Sequence, residues 1–231
     1  MSALAFLTIF GRATPPRSSA FAWFPVVGTA IGASLAGVWL GATELWHPLL
    51  AATIVVVADV VITGALHYDG LADSADGLLP HLDPERRLQV MRAPDVGAFA
   101  VVTVTLVLLV RVGAIAAPAT EWWMFPVVAG LSRTVVATVP AFVTAARPDS
   151  IGAAFAAGAR GRVLYWLAPL TAIAATFGAG RGLALAVATV AGSTITIVLA
   201  RKRIGGWTGD VLGAAIVLGE TVGLLVAAAE L

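Results

Sequence analysis

Three aspartates at helical spacing are the residues of this chain best suited to chemistry. Asp69, Asp73 and Asp76 stand at positions i, i+4 and i+7, so on a helix their side chains lie along one stripe, within a sector of about 60°. Neighbouring anions repel each other and lose solvation near lipid, so they need a compensating cation. Carboxylate oxygens suit Mg²⁺ or Mn²⁺. The stripe therefore predicts a divalent-metal site held by these three residues; the alternative is the solvated acidic end of a helix.

A glycine-rich turn is the second candidate site. Residues 205–210 read Gly-Gly-Trp-Thr-Gly-Asp and stand directly before the last apolar segment. Backbone N–H groups at a glycine-rich helix start can bind an anion. The ordinary structural alternative is that Asp210 is simply a helix N-cap. The candidate substrate-binding positions of this turn and of the helix that follows it are Gly205, Gly206, Gly209, Asp210 and Glu220.

Several charged residues fall inside apolar segments, where an unpaired charge is costly. Arg111 and Arg133 must face the interior of a helix bundle. There they either pair with Asp59 and Glu220 or hold an anionic substrate through bidentate contacts to phosphate. We favour phosphate for Arg133 and leave both alternatives open for Arg111. His67 lies on another face from the aspartate stripe, so it is an awkward fourth ligand for the metal, and the alternative is an interfacial histidine.

Composition identifies the surroundings of these residues as a membrane. Hydrophobic residues make up 59% of the chain and charged residues 12%, which is too little polar residue to cover a soluble domain. We predict an all-α, polytopic transmembrane helical bundle. About seven segments are near the roughly 20 residues that a spanning helix requires, and they are 24–44, 48–66, 98–118, 122–145, 162–179, 182–200 and 211–229. The absence of cysteine excludes thiolate metal sites, and the net charge of +1 gives no case for nucleic-acid binding.

Basic residues stand in alternate connections between these segments. They are Arg12 and Arg17; Arg86, Arg87 and Arg92; Arg147, Arg160 and Arg162; and Arg201, Lys202 and Arg203. By the positive-inside rule these connections and the N-terminus are cytoplasmic. The aspartate stripe and the glycine-rich turn then face the cytosol, where Mg²⁺ and nucleotides are available. We expect a multi-pass protein of the cell (inner, cytoplasmic) membrane.

The chain is predicted to be a single integral-membrane domain, 1–231, because no linker divides it. Residues 1–20 are interpreted as an interfacial or re-entrant segment. Residues 67–97 begin as a continuation of the second span and are then broken by prolines, so they are predicted to form a cytoplasmic cap loop over the site. Gly28 and Gly32, and likewise Gly37 and Gly41, have the spacing that lets membrane helices approach closely. This predicts a packing face and would permit a homo-oligomer.

At these motifs the chain resembles the cobalamin synthase family, also called adenosylcobinamide-GDP ribazoletransferases. The blocks that carry the resemblance cover nearly the whole chain in order: Phe24–Gly28, His67–Gly77, Val90–Arg92, Ser132–Arg133, Gly205–Ala215 and Gly219–Glu220. The resemblance implies a Mg²⁺-dependent transferase that joins adenosylcobinamide-GDP to α-ribazole or its 5′-phosphate. The products would be adenosylcobalamin or its phosphate, and GMP.

Within that resemblance each candidate residue takes a role. Asp69 and Asp73 would hold Mg²⁺, and Asp76 would either complete the metal site or take the proton of the attacking ribazole hydroxyl. Arg92 and Arg133 would grip phosphate oxygens. Catalysis is then assigned to Asp73, Asp76 and Arg133, with His67 and the glycine-rich turn contacting substrate.

Two other classes of protein share some of these features. A phosphotransferase acting on CDP-activated alcohols also uses aspartates at helical spacing, but its usual Ala-Arg pair and further glycine are missing after Asp69-Gly70. An ion-coupled transporter would use Asp59, Arg111 and Glu220 as a relay at mid-membrane. The transporter class also predicts an inverted repeat, and none is evident in the sequence.

Overall fold

The computed structural model describes residues 2–10, 20–148, 153 and 161–229, and in these ranges the regular elements are helices joined by short turns and irregular connections. The predicted all-α class is confirmed. The only extended pairing among the described residues is an isolated parallel bridge between Ala145 and Trp207. Arg12, Arg17 and Arg160 lie outside the described residues, as does part of the predicted N-terminal segment.

Nine α-helices and two 3₁₀ turns are described along the chain. They are α1 (Ser2–Leu7), a 3₁₀ turn (Ala20–Trp23), α2 (Phe24–Thr43), α3 (Pro48–Thr63), α4 (Leu66–Leu78), α5 (Pro84–Val90), α6 (Ala98–Ile115), α7 (Met124–Phe142), a second 3₁₀ turn (Gly161–Trp166), α8 (Leu167–Ile204) and α9 (Gly209–Ala227). Five of these helical stretches are long and apolar enough to cross a membrane. The count rises to six if the bent pair α3 and α4 is taken as one span.

The predicted count of seven spans stays a prediction, but α8 is interrupted where the sequence places a span boundary. Ala179 has φ 46° and ψ −126°, which is not helical. A Cβ built on Gly182 would overlap the carbonyl oxygen of Ala174, although residues eight apart lie about 12 Å apart along a straight helix. The two halves of α8 therefore fold against each other at Ala179, between the predicted segments 162–179 and 182–200.

The expectation that residues 67–97 continue the second span and then form a cap loop needs correction. Gly64 and Ala65 both adopt left-handed conformations, with φ of 61° and 60°, and α4 leaves α3 at an angle of 91°. Two consecutive left-handed residues cannot continue a right-handed helix. The aspartates therefore lie on a separate helix, which packs against α6 and α9.

The C-terminal end of α4 is held by two arginines. Arg87 on α5 is buried and donates through Nη1 to the carbonyl oxygens of Gly77 and Leu78, both at 2.8 Å. Arg203 on α8 donates to the carbonyl oxygens of Leu78 and Leu79. The last carbonyls of a helix lack partners within the helix and carry its negative dipole end, so guanidinium groups stabilise them. These contacts fix the position of the acidic helix.

Close helix packing builds the core around α7, which is buried along most of its length. A Cβ on Gly28 would overlap the carbonyl oxygen of Ala129, and a Cβ on Gly32 would overlap that of Phe125. The backbones of α2 and α7 are therefore in direct contact at both glycines. The predicted packing role of Gly28 and Gly32 is confirmed, and the partner is α7 of the same chain. Gly37 and Gly41 have open space where a Cβ would be, so within the described residues their spacing does not mark a close helix contact.

Contacts also sort the connections into two ends of the bundle. The turn after α8 pairs with the segment after α7, and Arg203 reaches the end of α4. Arg181 and Glu121, from two other connections, form an ion pair with each other. This sorting matches the alternation of basic and non-basic connections in the sequence. Which end faces the cytoplasm stays a prediction.

Candidate active site

Two helices cross at the candidate site with almost no space between their backbones. A Cβ on Gly70 of α4 would lie 2.7 Å from the carbonyl oxygen of Asp210 on α9. Asp69 adjoins this glycine and Asp73 follows one turn later. The crossing therefore brings Asp69 and Asp73 together with Asp210, a grouping that we call the acidic face.

The electrostatics of the acidic face are visible in the pKa of Asp73. Partial burial is the largest cause, and the negative charges of Asp210 and Asp69 add to it, so the pKa rises from 3.8 to about 6. Arg147 acts in the opposite direction without cancelling the shift. Clustered carboxylates near lipid favour either a proton or a cation. The acidic face is therefore electrostatically suited to binding a positive ion.

Asp76 has a different environment from the other two aspartates of the stripe. Its carboxylate accepts hydrogen bonds from the amides of Gly97, at 2.6 Å, and Ala100, at 2.9 Å. These amides lie at the N-terminus of α6, where N–H groups lack partners within the helix. Asp76 therefore joins α4 to α6. Its predicted roles as metal ligand and catalytic residue stay predictions.

A divalent cation requires several oxygen ligands that converge on one point. Among the described residues no three aspartate, glutamate or histidine side chains converge closely enough to hold a metal. Mg²⁺ is usually bound by one or two carboxylates together with waters and substrate phosphates. Asp69 and Asp73 offer such a set, since Asp69 is exposed and Asp73 is half-buried. The residues present fit Mg²⁺ held jointly by protein and substrate.

Arg147 is a site residue that the sequence reasoning did not select. Its Nη2 donates to Oδ2 of Asp210 at 2.7 Å. Thr208 donates to the same oxygen at 3.1 Å and accepts from the amide of Val211, which makes Thr208 the N-cap of α9. The alternative that Asp210 is the N-cap is therefore wrong, because Asp210 is the second residue of the helix. The sequence feature that could have indicated Arg147 is its position in a connection rich in basic residues, which is predicted to lie at the same end of the bundle as the aspartates.

The glycine-rich turn is fastened to the segment that follows α7. Gly205 ends α8 with φ 77°, and the Trp207 amide donates to the carbonyl oxygen of Thr144 at 3.2 Å. A Cβ on Gly206 would overlap that same oxygen. Gly209, by contrast, has open space where a Cβ would be. Gly206 and Trp207 thus serve to attach the turn to the segment after α7. Anion binding by the glycines of the turn stays a prediction.

A network of buried charges joins four helices in the interior. Arg111 contacts Asp59 at 3.2 Å and Glu220 at 2.7 Å. Arg133 contacts the other oxygen of Glu220, which also accepts from Ser132 at 3.1 Å. All four charged side chains are buried. Of the two alternatives posed for the intramembrane arginines, the structure therefore shows ion pairing with Asp59 and Glu220.

The remaining two candidates lie in unlike surroundings. Arg92 is exposed, just after α5. His67 is 4% exposed, at the start of α4, and Gly213 of α9 lies against its backbone. His67 lines a cavity of about 110 Å³ together with Asp69 and Asp210. The structure thus brings His67, but not Asp76, beside Asp69.

Fold and site together define a class: an all-α, multi-pass membrane protein with a carboxylate-rich site where two of its helices cross. The sequence model of the cobalamin-5-phosphate synthase family matches residues 1–228. The chain belongs to this family and is a transferase enzyme of cobalamin biosynthesis.

Curated relatives agree over nearly the full length of the chain. A protein named adenosylcobinamide-GDP ribazoletransferase from Bradyrhizobium diazoefficiens is 38% identical, with 98% of this chain and 92% of the relative covered. Proteins of the same name are 34% identical in Chlorobium phaeobacteroides (91% and 88% covered) and 35% identical in Deinococcus radiodurans (94% and 81% covered). No solved structure matches the chain.

Proposed function

We propose that this protein transfers the phosphocobinamide group of adenosylcobinamide-GDP to α-ribazole or α-ribazole 5′-phosphate. A hydroxyl oxygen of the ribazole attacks the corrinoid-linked phosphorus, and the bond from that phosphorus to the GMP oxygen breaks. The products are adenosylcobalamin, or its 5′-phosphate, and GMP, and the hydroxyl proton goes to a carboxylate of the acidic face. The relatives' names support the substrates, and the convergence of Asp69, Asp73 and Asp210 carries the assignment of the site.

Mg²⁺ is the proposed cofactor, held by Asp69 and Asp73 together with the pyrophosphate of the donor. When bound, it would neutralise charge that develops on the departing GMP. The chain's own residues then position the reactants. Arg147, tied to Asp210 at 2.7 Å, lies close enough to the acidic face to meet a phosphate oxygen there. Positioning and electrostatics supply most of the acceleration in such transfers.

The buried residues support the site from behind. Arg133 and Glu220 are engaged with each other in the interior, so we propose that they fix α7 against α9. Asp76, with both oxygens accepting amides, fixes α4 against α6. The basic residues at the same end, Arg87 and Arg203 among them, support a cytoplasmic orientation of the acidic face in the cell membrane.

A product assay tests the proposal. The protein in lipid nanodiscs is given adenosylcobinamide-GDP, α-ribazole and Mg²⁺, and cobalamin and GMP are measured with and without EDTA. We expect equal amounts of both products, lost in EDTA and reduced at least 100-fold in Asp73→Asn. Asp83→Asn is the matched control, because Asp83 lies outside the acidic face, its side chain caps α5 by accepting from the Arg86 amide, and asparagine can also cap.

Each result bears on a separate part of the proposal. No product from folded wild-type protein would contradict the proposed reaction, and CDP-activated donors would be tried next. Full activity in EDTA would show that the reaction does not require a divalent metal. Full activity in Asp73→Asn would contradict the assignment of the active site to the acidic face.

A further inference from the structure

A cavity of about 110 Å³ adjoins the acidic face and takes no part in the phosphoryl transfer described above. Its lining combines the rings of Phe6, Phe21 and Phe24 with His67 and with two members of the acidic face, Asp69 and Asp210. The Phe21 and Phe24 rings are stacked, with centroids 4.4 Å apart. The volume is on the order of one aromatic ring, because a cavity of about 150 Å³ holds benzene. We call this space the aromatic cavity.

The lining includes the imidazole of His67, a side chain that is 4% exposed. The Nε2 atom of His67 is inaccessible to solvent and has no hydrogen-bond partner within the part of the chain that the structure describes. Nearly all buried side-chain polar atoms in proteins have a partner, since leaving one unpaired is costly. A neutral imidazole offers one ring N–H as a donor. A ligand with an acceptor atom beside an apolar ring would match a cavity lined by phenylalanine rings and an imidazole.

We infer that the aromatic cavity binds the base of the acceptor nucleoside. The inference rests on the proposed function, in which that acceptor is a benzimidazole nucleoside. The benzenoid ring of such a base is apolar and would pack against the phenylalanine rings in stacked or edge contacts. Its one unsubstituted ring nitrogen is an acceptor, and the ring N–H of a neutral His67 imidazole is a donor that suits it.

The placement of the cavity explains how the nucleoside would be oriented. Asp69 and Asp210 belong both to the cavity lining and to the acidic face. A base held in the aromatic cavity therefore leaves its ribose at the acidic face. Holding a nucleophile in this way turns the transfer into an effectively intramolecular step. The aromatic cavity thus selects the acceptor by its base, and the phosphoryl transfer takes place at the acidic face.

A substitution at Gly209 tests the inference. Gly209 lines the aromatic cavity, and nothing lies within 4 Å of a Cβ built there. Gly209→Leu therefore adds a bulky side chain at the edge of the cavity without a clash at its Cβ, and it keeps the backbone N–H. The matched control is Gly113→Leu on α6, which also has open space at its Cβ and is exposed, away from the cavity lining. Initial rates are measured in nanodiscs with α-ribazole and adenosylcobinamide-GDP varied separately.

We expect Gly209→Leu to raise the KM for α-ribazole at least ten-fold and to change the KM for adenosylcobinamide-GDP less than two-fold. Gly113→Leu should leave both KM values within two-fold of wild type. His67→Leu should also raise the KM for α-ribazole, and His67→Gln, which keeps an N–H donor, should recover part of the loss. An unchanged KM for α-ribazole in Gly209→Leu overturns the inference, and so does an equal rise in the Gly113→Leu control.

Binding without turnover separates this inference from the proposed reaction. Equilibrium dialysis of α-ribazole against the protein in EDTA, with no donor present, should show binding to wild type and at least ten-fold weaker binding to Gly209→Leu. Equal binding to both proteins overturns the aromatic cavity even if turnover is normal. A loss of co-purified lipid in Gly209→Leu with unchanged α-ribazole binding would assign the cavity to an acyl chain and equally overturn the inference.

Discussion

At the residue scale, Asp73 is the residue at which a proton would compete with the proposed cation. Its pKa is raised to about 6 by burial and by the charges of Asp210 and Asp69. A carboxylate with a pKa raised in the folded state stabilises the metal-free protein at low pH. That contribution is lost as the pH rises from about 4 to about 6. A cation reverses the preference, because it binds only the ionised form.

The pH dependence of cation binding follows from this competition. With a pKa of about 6 at Asp73, lowering the pH from 7 to 5 should weaken cation affinity about ten-fold, since one proton competes with the ion. Electron paramagnetic resonance of Mn²⁺ titrated into nanodisc samples measures this directly. Asp73→Asn should bind more weakly and lose most of the pH dependence. A pH dependence that is the same in wild type and variant would contradict the assignment of Asp73 as a ligand.

Asp76 provides a second test at this scale. Replacing it by alanine removes the acceptor for the Gly97 and Ala100 amides, and losing a helix cap costs about 0.5–2 kcal/mol. We expect Asp76→Ala to lower the Tm while Mn²⁺ affinity stays within three-fold of wild type. Asp76→Asn, which keeps one acceptor oxygen, should lose less stability. A large loss of Mn²⁺ affinity in Asp76→Asn would restore Asp76 to the metal site.

At the element scale, the site depends on how closely α4 approaches α9. The 91° bend at Gly64 and Ala65 turns α4 away from α3. Arg87 and Arg203 hold the far end of α4 by its carbonyl oxygens. Between these two anchors, Gly70 lets the two backbones meet. The acidic face therefore exists because α4 and α9 cross in close contact at Gly70.

Adding a methyl group at the crossing should move the carboxylates apart. The Cβ of Gly70→Ala would lie 2.7 Å from the backbone oxygen of Asp210, which cannot give way as a side chain could. We expect at least ten-fold lower kcat/KM together with a lower Tm. Gly213→Ala, at the same interface, places its Cβ 3.4 Å from His67, an ordinary contact. It should retain most of the activity, and equal losses in both variants would argue against the crossing as the sensitive element.

At the scale of the whole molecule, the buried network holds the bundle together. Asp59, Arg111, Arg133 and Glu220 come from α3, α6, α7 and α9, so each ion pair joins two helices. Within these four residues the formal charges balance, which is what a low-dielectric interior demands. Their mutual pairing also accounts for the intramembrane charges that the transporter alternative would have used as a relay.

Glu220 should matter more to stability than Asp59. Glu220 pairs with both arginines, whereas Asp59 pairs with Arg111 alone. Removing one partner of a buried pair costs about 3–5 kcal/mol, because a charge is left without compensation. We expect Glu220→Gln to lower the Tm in nanodiscs clearly more than Asp59→Asn does. The reverse order would mean that Arg111, and not Arg133, determines the stability of the network.

The sequence by itself determined the class of fold and the family. Apolar segments of membrane length are a property of local composition, so the helical membrane class followed directly. The spacing of Gly28 and Gly32 predicted close packing for the same reason. The spacing of Asp69 and Asp73 placed them on one face of one helix, which local geometry guarantees.

Only the tertiary structure decided which partners those residues meet. Asp76 shares the stripe, yet its carboxylate caps α6, while Asp210, 137 positions after Asp73 in the printed sequence, joins the acidic face. Arg133 pairs with Glu220 in the interior, and Arg147 pairs with Asp210 at the acidic face. The bend at Gly64 and Ala65 and the contact at Gly70 set these pairings. Sequence periodicity reports which side of a helix a residue occupies, but the packing of helices distant in sequence decides what lies opposite.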